Sequence, residues 1–211
     1  MEMCEKLHNI LRYGKVFDFK SDPAAMPLNG IYILYEKGEM GHGGDRVVRI
    51  GTHTGKNKLR RRISQHFFKE NKSKSIFRKN IGRAILNREN SSYLEIWNYN
   101  PTSKVNKEKY KEVINKEFES KIEKQISEYL QKNFYFRLIE MDLVGKRLKF
   151  EEKLIGTVSS CKQCGPGSNW FGNYSPIEKI KTSGLWLVQG LGKPGLTEGD
   201  LKEIEQHLIK S

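Results

Sequence analysis

Residues 29–36 read "NGIYILYE", a short run whose alternation decides how the chain begins to fold. Ile31, Ile33 and Tyr35 fall on one side, Tyr32 and Leu34 on the other. A β-branched and aromatic run bounded by Asn29-Gly30 is a strand signal. A second such run, "RVVRIG" at 46–51, follows the glycine-rich "EKGEMGHGGD" at 36–45. Together they predict a β-hairpin with a long loop. If Glu36 faces Asp45 across that loop, Tyr32 faces Arg49 on the same side of the pair. Tyr32 could be packing or chemistry, depending on what else converges on it.

At 211 residues the chain suffices for one good-sized core, or a core with a large insertion. Lys and Arg number 38 against 25 Asp and Glu, giving a formal charge of +13. That excess points to a polyanionic partner, nucleic acid before membrane. Its placement separates a binding patch from a general bias, since Lys56 to Arg83 holds eleven basic residues and one acid, Glu70. Lys56, Lys58, Arg78, Lys79 and Arg83 are expected to contact phosphates, positioning a nucleic acid without reading its sequence. Residues 107–132 mix Lys and Glu almost evenly, as a solvated helix face does. No apolar run approaches the roughly 20 residues of a membrane span, and the N-terminus has no cleavable apolar core. Three cysteines, an odd number, fit a reducing cytoplasm. Cys161 and Cys164 form a CxxC, but without a full set of four ligands they read as incidental thiols.

Helical periodicity organises the remainder. Leu59, Ile63 and Phe67 recur at four-residue spacing in a helix expected from about Lys58 to Lys69, with Arg62 and His66 as a second such pair beside them. Phe77, Ile81 and Ile85 mark another helix. A strand is expected around Tyr93–Trp97, then a proline-containing turn and a long amphipathic helix carrying Phe118, Ile122, Ile126 and Tyr129. "FYFRLIEM" reads as a strand, and a helix is expected from about Lys146 to Ser159. Thr197-x-x-Asp200 opens a last helix as a capping box. Trp97, Trp170 and Trp186 are expected in the core, and His53 in a loop.

The helix near residue 150 carries an anomaly. Leu148, Leu154, Ile155 and Val158 form one apolar arc with Glu151 inside it and Glu152 at its edge. A carboxylate in an apolar face needs a cation or a metal. A structural ion pair with an arginine is the alternative to a functional role.

"GIY" at Gly30–Tyr32, "RIG" at Arg49–Gly51, "RRRISQHF" at Arg60–Phe67, "EEKLI" at Glu151–Ile155 and "GSNWFGNYSP" around Asn169 stand in the order and setting of the GIY-YIG nuclease family, which the chain resembles over roughly residues 29–175. The resemblance implies an α/β fold, a small mainly antiparallel β-sheet flanked by α-helices. Residues 1–28 would form an N-terminal extension, about 88–132 a helical insertion, and 176–211 a C-terminal extension packed on the same domain. It also implies that Tyr32, Arg62, Glu151 and Asn169, with Asn173 as a rival for the last, surround a scissile phosphate, and that His66 matches the family's histidine. Arg49 replaces the tyrosine of the second motif. Glu151 would ligate Mg²⁺ or Mn²⁺, and Arg62 would hold the phosphate. Tyr32 would act as a base if cations such as Arg49 lowered its pKa from about 10. The activity implied is metal-dependent endonucleolytic cleavage of DNA, with RNA a possible substrate. The alternative is a nucleic-acid-binding module that keeps the fold without catalysis.

Overall fold

The structure is a computed structural model and describes residues 2–99, 108 and 110–210. The turn expected at Pro101 lies outside them. Strand β1 (Gly30–Gly41) sits at the centre of a three-stranded antiparallel sheet, between β2 (Gly44–Gly51) and β3 (Phe134–Glu140). No long loop joins β1 to β2, because the strands run on to a two-residue turn at His42 and Gly43. Both turn residues have positive φ, 51° and 71°, the backbone that matches the twist of a hairpin.

The register differs from the expectation. Tyr32 pairs with Gly51 and Leu34 with Arg49, and irregularities follow Leu34 and Tyr35. These bulges add residues that counting back from a loop ignores. The offset is two residues, so Arg49 keeps the face of Tyr32 but lies one position farther along it.

Helices cover both faces. Tyr32, Leu34, Val48, Phe136 and Leu138 pack into one cluster with α2 (Leu59–Phe67), α3 (Ile76–Arg88) and the buried stripe Ile122, Ile126 and Leu130 of α5 (Lys116–Asn133). Ile31, Ile33, Val47, Ile50 and Ile139 pack into the other, with α1 (Met3–Arg12), α6 (Val144–Ser159) and α8 (Glu198–His207). The fold is thus α/β, with helices on either side of the sheet. The Thr197–Asp200 capping box is present.

Two local expectations fail. Leu94–Asn98 is a short helix, α4, instead of a strand. Its Trp97 is buried against Gly82 of α3 and donates its indole N–H to the Lys79 carbonyl at 3.0 Å. That tertiary anchor overrides a five-residue alternation too short to settle the period. On α6 the apolar stripe is Phe150, Leu154, Ile155 and Val158, while Leu148 is 40% exposed.

The tryptophans are buried, as expected. Trp170 and Trp186 both donate to Oε2 of Glu36 on β1, at 2.9 and 2.8 Å, and the Tyr129 hydroxyl donates to Oε1. Burial raises the Glu36 pKa against the pull of these bonds. One carboxylate therefore clasps the segment after α6, which includes the short α7 (Glu178–Ser183), onto the sheet.

Candidate active site

Asn29, just before β1, draws two distant helices toward one place. Its Oδ1 accepts the Asn57 amide at 2.7 Å, and its Nδ2 donates to Asn57 and to Asp142 at 2.9 and 3.0 Å. Asn57 leads into α2 and Asp142 into α6. Between these helices opens a cavity of about 400 Å³, lined by residues that include His53, Lys58, Arg61, Arg62, Gln65, Leu148 and Glu151.

Arg62 and Glu151 therefore face one space from different helices. Glu151 accepts the Thr52 amide at Oε1, 3.0 Å away. Burial raises its pKa, while that hydrogen bond and the charges of Arg49 and Arg62 pull the other way. Among the described residues Glu151 has no ion-pair partner and its other oxygen no protein hydrogen bond. Arg62 spends single N–H groups on the Lys74 carbonyl at 3.1 Å and on Gln65 at 3.4 Å, leaving donors of its fork for an anion.

Tyr32 lies one residue behind the cavity wall. Its ring crosses Gly51, where a Cβ would fall on the hydroxyl, so only glycine fits at the end of "RIG". The next amide, Thr52, is the one that holds Glu151. The Tyr32 hydroxyl meets His66 Nε2 at 2.9 Å, and His66 Nδ1 meets the Ser75 hydroxyl at 2.8 Å. His66 is wholly buried, and burial, followed by Arg49, Arg62 and Arg78, drives its pKa well below 6.5. It stands as a neutral imidazole linking two hydroxyls.

Arg49 is buried beneath this assembly. It donates to the Trp186 carbonyl and lies 5.0 Å over the Phe77 ring, with its Nε unpartnered. Its charge reaches both His66 and Glu151.

Other expected site residues lie apart. Asn169 and Asn173 are exposed and absent from the cavity lining. Asn173 donates to the carbonyls of Gly167 and Ser168, 3.0 Å each. Of the five expected phosphate contacts, Lys56 and Lys58 are exposed, but Arg78 is fully buried. It donates to Glu123 Oε2 at 2.8 Å and to Ser127 at 2.9 Å, bolting α3 to α5. Arg78 is thus a core residue, the cost of burying its charge offset by charge-assisted hydrogen bonds to partners on the facing helix. Lys79 and Arg83 are half-buried on α3 and turned to the end of α4, Lys79 to the Asn98 and Tyr99 carbonyls and Arg83 to the Asn98 side chain.

Arg61 and Gln65 line the cavity without having been singled out, and His53, in a loop as expected, lines it too. Lys58, Arg61, Arg62 and Gln65 follow the i, i+3, i+4, i+7 rule of one helix face, a signal present in the sequence. His53 lacked one. Its Nδ1 donates to the Gly55 carbonyl at 2.6 Å and its Nε2 lies 3.4 Å from the Gly30 amide, and burial lowers its pKa.

A helix-covered three-stranded antiparallel sheet defines a GIY-YIG-like α/β domain when Tyr32 comes from the start of its central strand, Arg62 from the next helix and Glu151 from a later one. A family profile described as a GIY-YIG domain matches residues 2–208, and the chain belongs to this nuclease family. The match extends to both termini, beyond the motif-bearing segment. No curated protein and no solved structure matches the chain. GIY-YIG nucleases generally depend on a metal, and Glu151 fits one: a hard carboxylate oxygen without a protein partner, beside a space wide enough for the waters that Mg²⁺ retains. Among the described residues no helix is long and apolar enough to cross a membrane.

Proposed function

We propose that the protein is an endonuclease of the reducing cytoplasm that hydrolyses DNA phosphodiester bonds with Mg²⁺ or Mn²⁺. The observation that carries this is the cavity shared by Arg62 and Glu151, one side chain suited to phosphate and the other left without a counter-ion. Lys58 and Arg61 extend the positive wall, and a backbone phosphate entering there meets the free donors of Arg62, which stabilise the charge that develops on its oxygens. A divalent ion on Glu151 would supply Lewis acidity to the leaving oxygen. The hydrogen bond between the Tyr32 hydroxyl and neutral His66 keeps that hydroxyl directed, the other imidazole nitrogen being fixed by Ser75. Arg49 supplies a buried positive charge below both groups.

Incubation of supercoiled plasmid, and separately of RNA, with purified protein and Mg²⁺ or Mn²⁺ tests this. Nicking of the plasmid that chelator abolishes and that Glu151→Gln lacks is expected. No cleavage with either ion, combined with retained DNA binding, would establish a binding module in place of an enzyme. Cleavage of RNA alone would overturn the choice of substrate.

A further inference from the structure

A second polar cluster lies outside the cavity and shares no residue with it. Cys4 and His8 stand one turn apart on α1, His42 is the first residue of the β1–β2 turn, and Cys164 ends the CxxC after α6. One ligand atom from each lies within 4.8 Å of all the others, with three of the residues buried and His42 half-buried. The two sulfurs are 3.7 Å apart. A disulfide would need about 2.0 Å, whereas metal–sulfur bonds of about 2.3 Å in a tetrahedron set the sulfurs about 3.8 Å apart.

The histidines are placed to match. His8 Nδ1 lies 2.9 Å from the Cys4 carbonyl, a contact that keeps the proton on Nδ1, as a backbone partner does for a metal-bound imidazole. The Nε2 lone pair accepts the Val47 amide at 3.3 Å and lies 3.9 Å from Cys164 Sγ, so an ion bound there would take the place of that long hydrogen bond. The hairpin turn, with φ 51° at His42, brings that ring to 5.0 Å from the His8 ring. At Gly41 a Cβ would come 3.1 Å from Cys164 Sγ, so the missing side chain leaves room for that sulfur.

We propose that Cys4, His8, His42 and Cys164 bind one Zn²⁺ in a tetrahedral site of two sulfurs and two nitrogens. Thiolate and imidazole select zinc over Mg²⁺, and four protein ligands close the site, as in structural rather than catalytic zinc centres. Both thiols release their protons to solvent as the ion binds. Cys161, whose Sγ is 3.3 Å from His42 Nε2, remains outside the set. The ion pins α1 and the loop after α6 to the tip of the hairpin. The CxxC alone concealed it, since three of its four ligands come from elsewhere.

Protein purified under reducing conditions without chelator, assayed for metal by plasma mass spectrometry and then stripped and titrated with Co²⁺, tests the proposal. One zinc per chain is expected, together with a Co²⁺ spectrum showing tetrahedral and thiolate charge-transfer bands. Cys164→Ser and His42→Ala should lose the metal, while Cys161→Ser and Glu151→Gln keep it. Should the ligand variants fail to fold, the wild-type Co²⁺ spectrum decides alone. Absence of zinc with no thiolate bands overturns the site. So does full metal content in the Cys4→Ser/Cys164→Ser double variant, or loss in Cys161→Ser with retention in Cys164→Ser.

Discussion

Glu123 on α5 and Glu151 on α6 are both drawn out of water, and burial raises the pKa of each. Their surroundings then diverge. Glu123 accepts from Arg78 at 2.8 Å and from the Lys72 amide, so its charge is met inside the protein. Glu151 has one amide, and the guanidiniums of Arg49 and Arg62 act on it only from beyond ion-pair distance. Glu123 is buried and Glu151 half-buried, and the two serve opposite ends. A carboxylate closed by its partner holds helices together, and one left open at a cavity keeps its capacity for a ligand.

The contrast is broken most forcefully at Glu123. Removing one member of a buried pair strands the other charge, so Glu123→Gln should lower unfolding stability by about 3–5 kcal/mol, as measured by urea denaturation. A loss as small as that of a surface pair would erase the distinction. Next in size is the open site, where Arg62→Ala should reduce plasmid cleavage about 10²–10³-fold without moving the denaturation midpoint. Glu151→Gln should likewise abolish cleavage yet melt no lower than wild type in chelator. The sign follows from its surroundings: no ion-pair partner is stranded when the charge goes, as Arg78 is at Glu123, and burial disfavours the ionised form, so above the folded pKa Gln removes a cost. Strong destabilisation of Glu151→Gln would place it with Glu123. Glu152, half-exposed beside Lys193 at 3.2 Å, should change stability by no more than about 1 kcal/mol when made Gln.

The smallest effect is read in pH. The folded pKa of His66 lies below its unfolded value near 6.5, so the unfolded chain binds the proton first. Stability owed to this group is complete above about 6.5 and is lost as pH falls toward the folded pKa. The melting temperature of wild type should therefore drop more between pH 7 and 5 than that of His66→Gln, as tracked by circular dichroism. Parallel curves would show that His66 is not held neutral.

Much of the fold was legible because it rests on local periodicity. The strand at Ile31–Tyr35 and helices α2, α3 and α6 announce themselves through apolar spacing, and glycine at position 51 through its motif. What escaped depends on distant partners. Arg78 looks like Arg62 within the basic run, and only Glu123 and Ser127, more than forty positions later, withdraw it into the core. The hairpin register escaped because bulges leave no compositional mark, and the helical form of Leu94–Asn98 because Trp97 finds its slot on another helix. Of the candidate site, Arg62 and Glu151 were readable as a pair from their motifs, whereas the asparagine of the expected set was not, since a turn-rich loop does not declare where it points.

The clasp at Glu36 has an optical consequence. Two of the three tryptophans share one buried carboxylate, and their rings lie 5.1 Å apart, close enough for their excited states to sense each other and the same charge. Intrinsic emission from this pair reports the seating of the segment after α6 on the sheet, while Trp97 reports separately from the α3–α4 contact. The chain thus carries two native fluorophore sites within one core cluster, one reporting release of that segment and the other loss of the α3–α4 contact, with no label attached.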